Sequence, residues 1–478
     1  MKRRDFFKNA SIAAAGAAIL SPVQSLANTS SAVLPGSLQG KRAKNIIFMV
    51  SDGMSQGTLA MHNILSERQF GRLSRWMNLY SEGNITRGLM DTASANSLVT
   101  DSAAASSSWG GGVRVNNGSI NLNADGTENK PILQKFKAAG KAVGCVTTVE
   151  ITHATPSGFS VVSRSRSDQA GIASQYLDLE FDVLMGGGHE YFAADRRQDQ
   201  RDLYTEFAAK GYEVARSREE LLSIDRTSST APFLGIFSVG GLPYALDREN
   251  DAEVKKSTPT LAEMTAAAIR RLSKNRNGFV MQVEAGKVDW AAHANDVGAL
   301  MYEQQDFDDA VAAALEFAKA DGETLVVVTT DHGNANPGLF SGRDADQNFE
   351  RIFNFKHTND WILQGIDRDF SAGRVRERIE HAQGIVINAE EALQLLGHYV
   401  TDRNEDGLYN PYRLPFKPLA DIQRRFTSVG WAGMDHSADL VEVAAFGPGK
   451  ELLKPFVRNT DMHHFMLEAA AVPARFRA

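Results

Sequence analysis

The chain has 478 residues, a formal net charge of −7 and a single cysteine, Cys145. This length suffices for one large hydrophobic core with an insertion. The acidic balance shows no footprint of a nucleic-acid-binding surface, and a single thiol excludes a disulfide within the chain.

The first residues have the pattern of an export signal. Twin arginines at positions 3–4 precede an apolar stretch at residues 12–20. We therefore predict a twin-arginine-type signal peptide over residues 1–27 and a flexible leader over residues 28–43. The apolar stretch is about half of the roughly 20 residues that a membrane-spanning helix needs, so we predict no membrane span in the mature chain. The export signal predicts a periplasmic or secreted location for the mature protein.

Three apolar runs along the chain each end in acidic or histidine side chains. Runs of this composition predict buried strands of a parallel sheet. In open α/β sheets, ligands collect beyond the carboxyl ends of the strands, so we expect these side chains to converge there. The alternation of strands and helices predicts an α/β fold with a doubly wound, mostly parallel central sheet and helices on both faces. The runs and the side chains after them are residues 45–50 with Asp52, 278–283 with Glu284, and 324–330 with Asp331 and His332.

Further candidate side chains lie between and after these runs. Ser102 stands at a predicted helix start, and His436 precedes a strand-like run at residues 440–446. Asp289 and His293 are four apart in a predicted helix, so both can face one metal ion. Each of these side chains alone is weak evidence for a site, because an Asp at the end of a strand more often forms a turn or caps a helix. Their joint spacing indicates a serine nucleophile activated by metal ions.

Several short motifs resemble those of alkaline phosphatases and occur in the same order. They cover residues 45–333 and resume at 434–437, so the resemblance brackets most of the predicted mature chain. The motifs are N-I-I-F-M-V-S-D-G-M, V-T-D-S-A-A, H-A-T-P, V-E-A-G-K-V-D-W-A-A-H-A, T-T-D-H-G and M-D-H-S.

The resemblance implies two zinc ions and a third ion of the magnesium type. Histidines with carboxylates suit zinc, whereas a set of oxygen ligands suits magnesium. The implied ligands are Asp289, His293 and His436 for the first zinc; Asp52, Asp331 and His332, with the Ser102 oxygen, for the second; and Asp52, Thr155 and Glu284 for the third ion.

The resemblance also assigns the phosphate-binding arginine. Arg166 lies thirteen residues after His153, at the spacing the family uses, with Arg164 as its competitor. Asp101, beside the nucleophile, would orient this arginine. Some bacterial members carry Asp and Lys where this chain has His153 and Trp290, and other members carry His and Trp. We therefore expect His153 and Trp290 beside the ligands of the third metal, with His153 as a direct ligand in the alternative, and the identity of this metal stays open.

The predicted catalytic core comprises residues 44–337 and 431–478, interrupted by an insertion over 338–430. In this family, insertions at such places resemble crown-like additions that cover the active site or form a dimer contact. Residues 402–407 match the opening of a calcium loop, but Arg413 stands where an EF-hand requires glutamate, which favours a polar turn.

The leading hypothesis is an exported, metal-dependent hydrolase of small phosphate monoesters that acts through a phosphoserine and releases inorganic phosphate and an alcohol. The family suggests a homodimer. A phosphodiesterase of the same superfamily remains an alternative because the leaving-group pocket cannot be read from sequence. A sulfatase is disfavoured because no C-x-P-x-R signature surrounds Ser102. A non-catalytic periplasmic metal- or phosphate-binding protein is a third interpretation.

Overall fold

The computed structural model describes residues 42–227, 229–367, 369–399 and 414–477. The predicted signal peptide, nearly all of the predicted leader and the calcium-type turn at 402–407 lie outside these residues. Among the described helices, we find none with the length and apolar character that a membrane crossing requires.

The strands, numbered along the chain, include ten that form one central sheet. Seven of these, from β8 to β5 in the order below, run parallel to one another, and β13 is antiparallel to both of its neighbours, β2 and β8. Their bounds are β1 (Asn45–Ser51), β2 (Thr86–Met90), β3 (Ala142–Glu150), β4 (Val183–Gly187), β5 (Glu213–Ala215), β6 (Phe233–Ile236), β7 (Phe279–Ala285), β8 (Thr324–Thr329), β9 (Gly333–Asn334), β10 (Gly338–Leu339), β11 (Val429–Gly430), β12 (His436–Ser437), β13 (Val441–Phe446) and β14 (Phe456–Val457). The order across the sheet is β14-β2-β13-β8-β1-β7-β3-β4-β6-β5.

Helices cover both faces of this sheet. Those with side chains in the core on one face are α1, α2, α8, α9 and α11 to α18, and those on the other are α3 to α7 and α19. The helices are α1 (Gln56–Phe70), α2 (Arg75–Glu82), α3 (Ser102–Gly111), α4 (Ile132–Ala138), α5 (Ala154–Ser160), α6 (Gln169–Leu179), α7 (Leu203–Ala209), α8 (Arg218–Asp225), α9 (Ala245–Asn250), α10 (Ala252–Ser257), α11 (Leu261–Leu272), α12 (Lys287–His293), α13 (Val297–Asp321), α14 (Ala345–Glu350), α15 (Asn359–Gln364), α16 (Ala372–Gln383), α17 (Ala389–Leu396), α18 (Phe416–Thr427) and α19 (Asp461–Ala469).

The central strand β1 shows why this sequence is buried on both sides. Ile47 and Met49 pack into the core under α1, α11 and α13, whereas Ile46, Phe48 and Val50 pack into the core under α3 and α5. Successive side chains of a strand point to opposite faces, so a continuous apolar run requires cover on both. The predicted α/β class, with a mostly parallel sheet between two helix layers, is confirmed.

The two ends of the segment 338–430 lie next to each other. Its ends pair as β10 and β11, with Gly338 opposite Gly430. Helices α14 to α18 bury apolar side chains in the same core as α13. The segment is also joined to the start of α13, where the Asp296 Oδ2 accepts the Asn359 N–H at 2.5 Å. Its predicted roles as a cover for the site or a dimer contact, and its status as an insertion, stay predictions.

Candidate active site

Three acidic side chains meet at the carboxyl ends of neighbouring strands. Asp52 follows β1, Asp331 follows β8, and Glu284 lies within β7, directly opposite Val50 in the register. All three are at most 1% exposed. The sheet therefore places them together because adjacent parallel strands end at the same edge, as the sequence predicted.

A second group lies on the outer side of these acids. Asp289 and His293 project from α12, and His436 comes from β12. The His293 and His436 Nε2 atoms are 3.1 Å apart. The Asp289 carboxylate oxygens lie 3.4 Å from the His293 Nε2 and 3.5 Å from the His436 Nε2. The structure thus brings together the three side chains predicted for the first zinc.

His332 lies between the two groups. One ligand atom each of Asp289, His332 and His436 falls within 4.8 Å of the others, and the same holds for Asp52, Asp331 and His332. A third group with this spacing contains Asp52, His153 and Glu284. The two sites predicted for zinc are therefore contiguous, and His332 touches both.

The three histidines of the cluster are oriented by the backbone. In each, the Nδ1 faces a carbonyl oxygen, which can only accept a hydrogen bond, so the Nδ1 carries the proton. The Nε2 is then left as a lone-pair donor toward the acids, an arrangement typical of metal-ligating imidazoles. The distances are 2.5 Å from His293 to the Met434 carbonyl, 2.9 Å from His436 to the Thr100 carbonyl and 3.3 Å from His332 to the Gly333 carbonyl.

Unsatisfied oxygens show that this cluster suits cations. The Asp52 Oδ1, Glu284 Oε1 and Asp331 Oδ2 are buried and have no hydrogen-bond partner among the described residues. The His332 Nε2 lies 3.0 Å from the Asp331 Oδ2 and 3.6 Å from the Asp52 Oδ1, but not in hydrogen-bonding geometry. Buried charged oxygens without donors are costly, and a bound metal ion is one way to satisfy them. The donor set therefore fits divalent metal ions.

The electrostatics of the carboxylates support the same conclusion. Burial raises the pKa of Asp52 well above its usual range, and the negative charges of Asp331 and Asp289 raise it further. Burial also raises the pKa of Glu284 to about 7. Burial acts in the same direction on Asp289, but the positive charge that His293 and His436 carry when they are protonated outweighs it, so the pKa of Asp289 is lowered. So many acidic groups in one buried volume repel one another unless cations are present.

The candidate nucleophile stands at the first position of α3. The Asp101 side chain caps this helix by accepting the Ala104 N–H at 2.9 Å, so the Ser102 Oγ is at the positive end of the helix dipole. The Ser102 Oγ lies 3.4 Å from the His332 Nε2. The structure places the serine against the predicted second zinc site.

Small residues allow α3 to approach α5 closely. A Cβ added at Gly110 would lie 1.7 Å from the Gly158 carbonyl oxygen, so only glycine fits there. The Ser106 Oγ donates to the Thr155 carbonyl at 2.5 Å across the same contact. The Thr155 hydroxyl in turn donates to the Asp52 Oδ2 at 3.3 Å, which puts Thr155 at the predicted third metal site.

Arg166 borders the site beside Asp101 and His153. Its Nη1 donates to the Asp101 Oδ2 at 3.1 Å, and its Nη2 lies 3.2 Å from the His153 Nε2. Arg164 is exposed. Burial lowers the pKa of His153 to about 3, and the Arg166 charge adds to the shift, so the ring is neutral. Its Nδ1 is buried without a hydrogen-bond partner in the described chain, and its ring meets Trp290 edge-on at 6.2 Å.

Two residues that touch the predicted metal ligands were missed by the sequence analysis. The Asn334 Nδ2 donates to the Asp289 Oδ1 at 2.7 Å, and the Thr147 Oγ1 donates to the Glu284 Oε2 at 2.5 Å. Thr147 stands opposite Glu284 in the register of β3 with β7. Asn334 follows His332 by two residues, but neither position carries a signal without knowledge of its tertiary partner.

Known proteins with the same sequence pattern and architecture are alkaline phosphatases. The alkaline phosphatase family profile matches residues 43–472. Alkaline phosphatase 4 of Bacillus subtilis is 33% identical over 436 residues, which cover 89% of this chain and 88% of that protein. The crystal structure of Thermus thermophilus alkaline phosphatase is 33% identical, with a TM-score of 0.83, and the match covers 91% of this chain and 92% of the other. A cold-active alkaline phosphatase from a psychrophilic Shewanella species is 26% identical, with a TM-score of 0.73, over 90% of this chain and 100% of its own.

Proposed function

The chain belongs to the alkaline phosphatase family and is a metal-dependent phosphomonoesterase, and we propose that it acts through a phosphoserine on Ser102. The observation that carries this proposal is the position of the Ser102 Oγ. It lies at a helix N-terminus, 3.4 Å from the His332 Nε2, and the preceding residue Asp101 accepts the Arg166 Nη1. A phosphoryl group bound there would meet both an oxygen nucleophile and a guanidinium.

The metal sites in this proposal use the donor sets described above. Zinc suits the two sets that contain histidines. Magnesium suits the third set if the additional ligand is the Thr155 oxygen and not the His153 nitrogen. Divalent cations bound at these positions would stabilise the deprotonated Ser102 hydroxyl and the negative charge of the transferred phosphoryl group. The proposed ligands are Asp289, His293 and His436; Asp52, Asp331 and His332; and Asp52, Glu284 and Thr155 or His153.

The chain's own residues would then carry out two displacements. In the first, the Ser102 Oγ forms a bond to phosphorus while the bond from phosphorus to the alcohol oxygen breaks, and the alcohol leaves with a proton. In the second, water cleaves the new bond, which restores the Ser102 hydroxyl and releases inorganic phosphate. Arg166 would bind two phosphoryl oxygens throughout, because its planar fork matches them bidentately. Asp101 holds that fork in place.

We also propose that the protein is exported and dimeric. Export by the twin-arginine route is supported by the arginines at 3–4, the short apolar stretch at 12–20 and the small residues before position 28. Replacing both arginines by lysine should leave the activity inside the cell, and unchanged export would contradict the route. A homodimer is proposed from the family, and light scattering of the purified protein would test it.

Hydrolysis of three chromogenic esters tests the proposed activity. We expect fast cleavage of the phosphate monoester and slow cleavage of the matching phosphodiester and sulfate ester, at alkaline pH. Chelation should abolish the activity, and zinc with magnesium should restore it. Preferential diester cleavage would reassign the substrate class, and phosphate binding without turnover would point to a binding protein.

A further inference from the structure

A tight turn at residues 116–119 lies beside Asp101 and Arg166. The Ser119 N–H donates to the Asn116 carbonyl at 3.1 Å, and Gly118 has a φ of 85°. A positive φ at the third residue, with a usual φ at Asn117, is the geometry of a type II turn, which favours glycine at that place. Apart from its two chain neighbours, no described residue has an atom within 4 Å of a Cβ built on Gly118, so backbone conformation alone explains the glycine.

The Asn117 side chain holds the segment that leads into the nucleophile. Its Oδ1 accepts the Asp101 N–H at 3.2 Å, and its Nδ2 donates to the Val99 carbonyl at 3.0 Å. Because an N–H only donates and a carbonyl only accepts, these two contacts fix the orientation of the amide. Between them lies Thr100, whose carbonyl accepts the His436 Nδ1–H. The Asn117 side chain therefore bridges the two neighbours of Thr100, and the Thr100 carbonyl orients the candidate metal ligand His436.

The backbone of the same turn holds Arg166 and its partner. The Gly118 N–H donates to the Asp101 Oδ2 at 2.9 Å, which is the oxygen that also accepts the Arg166 Nη1. The Gly118 carbonyl accepts the Arg166 N–H at 2.8 Å. Ile120 and Ser163 then exchange two backbone hydrogen bonds of 2.9 Å, which join the chain after the turn to the chain before the arginine.

We propose that Asn117 is a positioning residue for phosphate binding. It sets the place of Asp101 relative to the turn and, through Asp101, the direction of the Arg166 fork. This inference rests on the proposed function, since it needs Arg166 to bind the phosphoryl group. Asn117 is exposed, so its removal leaves the core unchanged, and the expected effect lies in the positions of Asp101 and Arg166.

A double-mutant cycle tests this role. We expect Asn117→Ala to raise the inhibition constant of inorganic phosphate about fivefold, the size of one lost hydrogen bond of ordinary strength. The Michaelis constant should rise with it, while kcat changes by less than about twofold, as for a loss of uniform binding. In an Arg166→Ala background, Asn117→Ala should change the inhibition constant by less than about 1.5-fold, because coupled residues are not additive.

Asn116→Ala is the matched control. Asn116 is the same residue type in the same turn, and its side chain forms no hydrogen bond to any described residue. We expect it to leave phosphate inhibition unchanged. Equal effects of the two asparagine variants, or the same factor for Asn117→Ala with and without Arg166, would overturn the positioning role. If Arg166→Ala itself leaves phosphate inhibition unchanged, the proposed function of Arg166 fails and the inference falls with it.

Discussion

The two sides of the candidate site are built by different means. On one side Asp52, Glu284 and Asp331 are buried at the ends of adjacent parallel strands, where the sheet fixes their positions. On the other side Asp101 and Arg166 lie on connecting segments, with 20% and 27% of their side chains exposed. The sheet holds the three buried carboxylates in place. The positions of Asp101 and Arg166 depend instead on a few hydrogen bonds that are exposed to water. We expect substitutions on the two sides to differ in both size and kind.

The largest effect is expected from Asp331→Asn. The Asp331 Oδ1 accepts the Gly53 and His332 N–H groups, while its Oδ2 is the unsatisfied oxygen. Asparagine can keep the first two hydrogen bonds but replaces the second oxygen with an NH2 group, so folding should survive while metal binding fails. We expect kcat/KM to fall about a thousandfold, with loss of metal.

Kinetics and elemental analysis of the purified protein check this outcome. Asp346→Asn is the control, because this carboxylate is exposed and, among the described residues, pairs only with the Arg68 guanidinium. A fully metallated and active Asp331→Asn variant would break the comparison, since it would show that the buried acids do not hold the metals.

A smaller effect is expected from Asn334→Ala. This change removes the N–H donor that the Asp289 Oδ1 accepts at 2.7 Å and leaves the carboxylate itself in place. Loss of such an outer partner typically weakens metal binding about 10- to 100-fold. Competition with a chelating dye on the metal-free protein measures this directly, without reference to activity. Unchanged zinc affinity would mean that α12 alone is enough to orient Asp289.

The smallest of the three effects is expected on the arginine side. Arg166→Lys keeps the charge but loses the bidentate fork, so phosphate inhibition should weaken about tenfold. Arg164→Lys should change it by less than about twofold, because Arg164 is exposed to solvent. Both variants should keep their metals. Equal effects of the two substitutions would show that the phosphate is not held by Arg166 specifically.

The buried carboxylates could be predicted from the sequence, whereas the contacts of the arginine could not, and the reason is physical. Asp52 and Asp331 could be placed because an apolar run predicts a buried strand, and parallel strands end together. Only the family resemblance distinguished Arg166 from Arg164 as the phosphate-binding arginine, because the direction of the Arg166 side chain depends on the distant turn at residues 116–119. The missed donors Asn334 and Thr147 likewise have roles only through partners far away in the chain.

The elements themselves were predicted more accurately than their contacts. The apolar spacing at residues 260–272 predicts a helix, and the structure has α11 there, which begins at Leu261 after the cap formed by Thr260 and Glu263. Glu284 was expected after its strand but lies inside β7, because the β7 ladder with β1 continues to Ala285. Apolar periodicity locates an element, whereas its last residues are decided by pairing with neighbours.

Trapping the phosphoenzyme tests the central claim most directly. The metal-loaded protein would be mixed with a phosphate monoester at mildly acidic pH, where we expect dephosphorylation to be slow, then quenched in acid and digested for mass spectrometry. The account predicts one added phosphoryl group on the peptide that contains Ser102, and none in Ser102→Ala, which should retain its metals but not its turnover. An unmodified Ser102 peptide together with rapid hydrolysis by Ser102→Ala would contradict the account.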